Sequence, residues 1–83
     1  MKHFVDLAMM DRLDQLIRMK NTGTPYVLAN RLGISQSVLS EYIAYMQRML
    51  NAQIKYNAYT QTYEYVRIPD YYLGFEKDRS KAQ

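Results

Sequence analysis

The sequence predicts a small α+β domain, mostly helical, in which three helices are followed by a two-stranded β-hairpin. Three observations predict it. Apolar residues recur at helical spacing up to Leu50, Gly33 interrupts that pattern, and from Asn51 apolar residues alternate with polar ones. At 83 residues the chain can bury one hydrophobic core but not two. We therefore expect one domain over residues 1–75 and a polar, flexible tail over residues 76–83.

Composition narrows the class of protein. Hydrophobic residues make up 48% of the chain and charged residues 23%, which is typical of a globular protein. The chain has no cysteine, which excludes disulfides and thiolate metal sites. No apolar run approaches the roughly 18 residues that a membrane span needs, and residues 1–10 lack a signal-peptide core, so we expect a cytoplasmic protein without a membrane partner. The net charge of +3 permits a polyanionic partner without requiring one.

The first helix is predicted over about residues 4–20, and Asn21–Gly23 is expected to end it. Its apolar stripe consists of Val5, Met9, Met10, Leu13, Leu16 and Ile17. Phe4 and Leu7 point away from this stripe. They form either a frayed or separately packed helix start, or a contact between two copies of the chain.

Residues 25–45 are predicted to form a helix-turn-helix. Thr24 has the side chain of a helix cap, and the proline after it suits the first position of a second helix. Gly33 can adopt the positive φ that ends this helix. Ser35 is then the expected cap of a third helix that runs to about Leu50.

The third predicted helix has an apolar and a polar side. The apolar side, predicted to face the core, consists of Val38, Leu39, Tyr42, Ile43, Tyr45, Met46, Met49 and Leu50. The polar side consists of Gln36, Ser37, Ser40, Glu41, Ala44, Gln47 and Arg48. A solvated helix face is usually richer in Lys and Glu, so this one suits the close approach of a partner. Alternatively, it is a polar, uncharged face without a partner.

The hairpin is predicted from alternating residues over 54–57 and 62–68, joined by residues 58–61. The predicted inner side chains are Ile54, Tyr56, Tyr63 and Tyr65, and the outer ones are Lys55, Asn57, Glu64 and Arg67. The connector has no glycine, so a tight two-residue turn is not expected. Tyr59 should be exposed at its tip, either as a contact to a nucleic-acid groove or as an incidental surface residue. Residues 71–75 form an aromatic segment that is expected to pack on the core.

In its residues the chain resembles the winged helix-turn-helix domains of bacterial transcriptional regulators, the group often labelled HTH-11 or DeoR-like. The resemblance covers about residues 9–66. The matching residues are Leu28-Ala29…Leu32-Gly33-Ile34-Ser35, Leu39 and Ile43, and Ile54-x-Tyr56…Tyr63-x-Tyr65. The resemblance implies that the third helix enters the major groove of double-stranded DNA and that the hairpin, the wing, lies along a backbone or minor groove.

Carried over by position, the resemblance also implies which residues contact DNA. The base-reading set is Gln36, Ser37, Ser40, Glu41, Ala44 and Gln47. The backbone set is Thr24, Arg31, Arg48, Lys55, Lys20 and Arg67, and the wing tip is Tyr59, Thr60 and Gln61. The family commonly has Arg or Lys at the positions of Gln36, Ser37 and Glu41. Their absence here predicts weak non-specific affinity, because few counterions are released on binding.

Residues that suit catalysis are sparse. His3 lies near the chain start, and Asp11 and Asp14 are predicted as a surface pair on the solvent side of the first helix. No metal-ligand spacing and no glycine-rich phosphate loop occurs. We therefore expect no enzyme, no cofactor and no metal. Three functions stay open. The first is a regulator that binds duplex DNA as a homodimer, with the contact between copies made by Phe4, Leu7 or the wing. The other two are a protein-interaction module and a single-strand binder that stacks bases on tyrosines.

Overall fold

The computed structural model describes residues 6–69. Within this range the elements are α1 (Leu7–Arg18), α2 (Pro25–Leu32), α3 (Gln36–Leu50), β1 (Gln53–Asn57) and β2 (Thr62–Arg67). The two strands form an antiparallel hairpin. The predicted fold class is confirmed: the domain is mostly helical α+β, with the layout of a winged helix. The predictions for Phe4, for the aromatic segment 71–75 and for the tail 76–83 lie outside the described residues.

The start and end of α1 differ from the prediction. Asp6 caps the helix, since its carboxylate accepts hydrogen bonds from the backbone N–H groups of Ala8 and Met9. The helix ends at Arg18, before the predicted Asn21–Gly23 turn. Lys20 adopts a left-handed conformation with φ 54°, and its N–H donates to the Ile17 carbonyl. A lysine therefore occupies the left-handed, helix-ending position that glycine usually occupies. Because the prediction relied on Asn21–Gly23 as the end signal, it placed the end of α1 too late.

The predicted helix-turn-helix signals are confirmed. The Thr24 hydroxyl accepts from Val27 N–H at 3.2 Å, and Pro25 is the first residue of α2. Gly33 ends α2 in the left-handed region with φ 72°. The Ser35 hydroxyl accepts from Val38 N–H at 3.1 Å and caps α3. These caps satisfy backbone donors that the helix starts would otherwise leave unpaired.

The core lies where the three helices and β1 meet. Its buried residues are Met10, Leu13, Ile17, Leu28, Ala29, Leu32, Leu39, Tyr42, Ile43, Met46, Leu50, Ala52 and Ile54. The buried side of α3 is centred on Leu39, Met46 and Leu50 and is narrower than predicted. Met49, which was predicted to face the core, is 49% exposed because it lies at the edge of this side.

The inner face of the hairpin contains the four predicted side chains. Ile54 pairs with Tyr65 and Tyr56 pairs with Tyr63, so their side chains share the inner face. Ile54 is buried and the tyrosines are half-buried, with the Tyr56 and Tyr63 rings edge-to-face at 5.2 Å between centroids. Residues 58–61 connect the strands without a tight two-residue turn, as expected. Gln61 provides the left-handed residue, with φ 56°.

Two polar contacts that were not predicted attach β2 to the helices. Asp14 is 4% exposed, so its placement on the solvent side of α1 was wrong. It lies beside the buried Met10 and Ile17, and it accepts hydrogen bonds from the Tyr65 hydroxyl at 2.5 Å and from Arg18 Nε at 3.0 Å. The Arg18 guanidinium also lies 5.4 Å from the centre of the Tyr65 ring.

The second attachment is a pair of buried threonines. Thr22 N–H donates to the Thr62 hydroxyl oxygen at 3.1 Å, and Tyr63 N–H donates to the Thr22 hydroxyl oxygen at 2.8 Å. The turn after α1 is thereby bonded to the first residues of β2. Together the two attachments set the position of the hairpin relative to the helices.

Candidate nucleic-acid interface

The exposed side of α3 contains most of the predicted base-reading residues. Its side chains are those of Gln36, Ser37, Ser40, Glu41 and Ala44, and all five residues are exposed. Four of the five are uncharged, and three of them (two serines and an alanine) are short. Another molecule can therefore approach the backbone of α3 closely over the first three turns of the helix.

The position of α3 is determined by its ends and by its buried side. The Ser35 cap holds its first turn, and Leu39 and Met46 pack in the core. The Tyr42 hydroxyl accepts a hydrogen bond from Asp6 N–H at 3.0 Å, which links the middle of α3 to the start of α1. Contacts on the buried side of α3 therefore hold the helix in place, so its exposed side has a fixed orientation.

Gln47 does not belong to this exposed side. Its side chain is half-buried, and its amide oxygen accepts a hydrogen bond from Ile54 N–H at 2.8 Å. At helical spacing Gln47 lies next to Ile43 and Leu50, which directs it towards β1. The prediction that Gln47 reads bases is corrected: the residue holds the hairpin against the C-terminal part of α3.

The basic residues predicted to bind the DNA backbone fall into two groups. Lys20, Arg48, Lys55 and Arg67 are exposed. Arg31 is also exposed, but its guanidinium donates to the Asn21 carbonyl at 2.9 Å, so it holds the turn between α1 and α2. This structural role of Arg31 could not be predicted from sequence, because its acceptor is a backbone group ten residues away.

The charge of the candidate interface is low. Residues 36–67, which include α3 and the hairpin, contain three basic residues and two acidic ones. Non-specific attraction to phosphates is therefore weak, and uncharged contacts must provide much of any sequence-dependent affinity.

Two further exposed groups lie near the start of α2 and at the end of the hairpin. Tyr26 is 63% exposed at the second position of α2, between the two residues of the Thr24–Val27 cap bond. The sequence interpretation missed Tyr26, although it lies opposite the buried Leu28 and Leu32 at helical spacing. Tyr59 is 98% exposed at the hairpin tip, which confirms the expected exposure, and the neighbouring Thr60 and Gln61 are also exposed.

Metal-binding groups and groups with a shifted pKa give no second site in the described part of the chain. Within residues 6–69 no cluster of three or more His, Cys, Asp or Glu side chains could hold a metal ion. Burial raises the pKa of Tyr65, and its hydrogen bond to Asp14 raises that pKa further. Both effects on this pKa arise from the contact between α1 and β2. None of the helices in residues 6–69 has the length and apolar character of a membrane span.

Comparison with family models, with curated proteins and with solved structures finds no match for this chain. Any functional conclusion therefore depends on the geometry and chemistry of the described residues.

Proposed function

We propose that the protein is a small DNA-binding transcriptional regulator that reads double-stranded DNA with the exposed side of α3 and with its hairpin. The observation that supports this most is the exposed side itself. Its side chains are small or uncharged: Gln36, Ser37, Ser40 and Ala44. They lie on a helix that follows a tight turn and is held in place by the contacts of its buried side. A helix presented in this way fits the major groove of B-DNA.

The residue types on this side suit base recognition. A glutamine amide can both donate to and accept from adenine, and serine hydroxyls can bond to any base edge. Ala44 would allow close approach or would contact a thymine methyl group. Lys20, Arg48, Lys55 and Arg67, with the capped start of α2, would bind phosphates on either side. On this proposal the protein has no enzymatic activity and acts in the cytoplasm of a bacterium.

Two copies are expected to act together. A single module of this size buries only about 600–1,000 Å² on DNA, which favours a homodimer on a two-fold site. Leu7 and the wing are the candidate contacts within the described residues, and Leu7 is exposed.

A protein-interaction module is the second candidate, and two observations favour it. α3 contains one acidic and one basic residue, so its net charge is zero. Met49, Val66 and Ile68 are also exposed apolar side chains, of the kind found at protein interfaces.

Salt dependence separates the two candidates. We expect the protein to bind a labelled random-sequence duplex at low salt. Four exposed cations give a log–log slope of up to about −3.6, so affinity should fall by up to about 150-fold between roughly 50 and 200 mM salt. Fluorescence anisotropy measures this directly, with the same oligonucleotide as a single strand for comparison. No duplex binding at low salt would favour the protein partner, and tighter binding of the single strand would favour stacking on tyrosines.

A further inference from the structure

The outer face of the hairpin, which points away from the core, contains an open cavity of about 340 Å³. The residues that line it are Lys55, Tyr56, Asn57, Ala58, Glu64 and Val66. Sites for small molecules in proteins begin at roughly 300 Å³, so the cavity is large enough for a small ligand. Among its side chains, the proposed function gives a role only to that of Lys55.

The cavity contains two opposite charges that do not pair with each other. Lys55 and Glu64 lie directly opposite across the two strands, so their side chains share this face. Glu64 Oε2 accepts hydrogen bonds from the Asn57 amide at 3.2 Å and from the Thr60 hydroxyl at 3.4 Å, and these bonds hold the carboxylate towards the turn. In the described part of the chain no ion pair joins Lys55 to Glu64. Within that part, the Lys55 ammonium and Glu64 Oε1 are therefore open to a ligand.

The polar and apolar parts of the cavity are separated along the strands. Asn57 lies on the side of the charged pair that is nearer the turn. Val66 follows Glu64 by two residues, so it lies on the same face but further from the turn. Its apolar side chain is 57% exposed. A ligand with a charged end and an apolar end can therefore place its charged end at Lys55 and Glu64 and cover Val66 with the other.

We propose that this cavity binds a free amino acid with an apolar side chain, in its zwitterionic form. The α-ammonium donates to Glu64 Oε1, the α-carboxylate accepts from the Lys55 ammonium, and the apolar side chain packs on Val66. A zwitterion fits better than an ion of single charge, because each of its charged groups meets the opposite charge and neither is placed beside a like one.

Occupancy of the cavity lowers the affinity for DNA. This step rests on the proposed function, in which Lys55 binds a phosphate. A ligand carboxylate on the Lys55 ammonium neutralises that cation, so one fewer counterion is released when DNA binds. The amino acid is thus an effector that weakens DNA binding, and by linkage DNA weakens the binding of the amino acid.

The first test titrates the ¹⁵N-labelled full chain with L-leucine in the absence of DNA. We expect saturable shifts of the backbone amides of residues 55–58 and 64–66, with a Kd of about 1 mM. N-acetyl-leucine lacks the ammonium and leucinamide lacks the carboxylate. Each should bind about fivefold more weakly than leucine, because each loses one of the two charge contacts.

Variants of the two charged residues test the same contacts from the side of the protein. Lys55→Gln and Glu64→Gln should each weaken leucine binding about fivefold. Glu64→Gln keeps a side-chain oxygen that can accept from Asn57 and Thr60, so the turn should be retained. Arg12→Gln, which removes an exposed cation from α1, is the control and should bind leucine as wild type does.

The second test repeats the random-duplex anisotropy titration with leucine at about 10 mM. The log–log slope of wild type should become shallower by about 0.9, while that of Lys55→Gln should not change.

The outcomes separate the amino-acid site from the proposed function. An absence of saturable shifts up to about 20 mM leucine, or equal binding of leucine and its two blocked analogues, would overturn the site. If leucine binds but leaves the affinity for duplex unchanged, the effector role is overturned and the site stands. If wild type binds leucine but no duplex, the proposed function fails and the site again stands.

Discussion

Replacing Asp14 with alanine is expected to lower the free energy of unfolding by about 3 kcal/mol. The variant loses a carboxylate that is 4% exposed and that accepts hydrogen bonds from the Tyr65 hydroxyl and from Arg18 Nε. Arg18 is partly exposed and can rehydrate, which keeps the loss below that of a fully buried pair. For a domain of this size, we expect the midpoint of thermal unfolding to fall by more than about 10 °C. Urea denaturation followed by circular dichroism measures the free-energy change.

Asp11→Ala is the matched control for this prediction. Asp11 lies on the same helix and is half-buried, but its carboxylate accepts a long, solvent-exposed hydrogen bond, 3.4 Å, from Gln15. Its replacement should change the free energy of unfolding by less than about 0.5 kcal/mol. Equal destabilisation by Asp11→Ala and Asp14→Ala would show that the contact between α1 and β2 is not the source of the lost stability.

The same contact predicts a pH dependence. The pKa of the Tyr65 hydroxyl is raised in the folded state, first by burial and then by the hydrogen bond to Asp14. The neutral phenol therefore stabilises the folded protein fully below pH about 10, where unfolded tyrosine is also neutral, and this stabilisation is lost as the pH rises further. The stability advantage of wild type over Tyr65→Phe should accordingly shrink above pH about 10.

The double substitution Gln36→Ala and Ser40→Ala is expected to cause the largest functional loss. Each good base contact discriminates by about 1–3 kcal/mol, so loss of two contacts should weaken binding to a duplex selected from a random pool by about 30-fold or more. Binding to random duplex should change by less than about threefold, because neither residue is charged. Parallel anisotropy titrations with the selected and the random duplex measure both values.

Folding should survive this double substitution. Both residues are exposed, and alanine favours helix formation more than glutamine or serine does. Gln15→Ala, at an exposed position of α1, serves as the control and should leave both affinities unchanged. Equal losses on the selected and the random duplex would argue against base reading by α3.

Local signals account for the parts of the fold that the sequence predicts. Thr24, Pro25, Gly33 and Ser35 each have a specific backbone role at a helix end, and the change of apolar spacing after Leu50 distinguishes the hairpin from the helices. The end of α1 was placed too late because Lys20, rather than a glycine, adopts the left-handed conformation there.

Long-range contacts account for what was missed. Asp14 is buried by a tyrosine 51 residues further along the chain, and no local pattern contains that information. The exposed side of α3 follows from helical periodicity, so its residues could be predicted. Gln47 and Arg31 bond to backbone groups outside their own helices. Their structural roles therefore depend on how the elements pack together, which the local sequence does not contain.

The most direct test of the central claim is a titration of the ¹⁵N-labelled protein with a duplex, followed through its backbone amide resonances. The claim is that the exposed side of α3 is the surface that contacts duplex DNA. We expect the largest shifts at Gln36, Ser37, Ser40 and Ala44, and little change at Ala8 and Gln15 on the exposed side of α1. Shifts confined to α1 or to residues 66–68, or no shifts at saturating duplex, would contradict the claim.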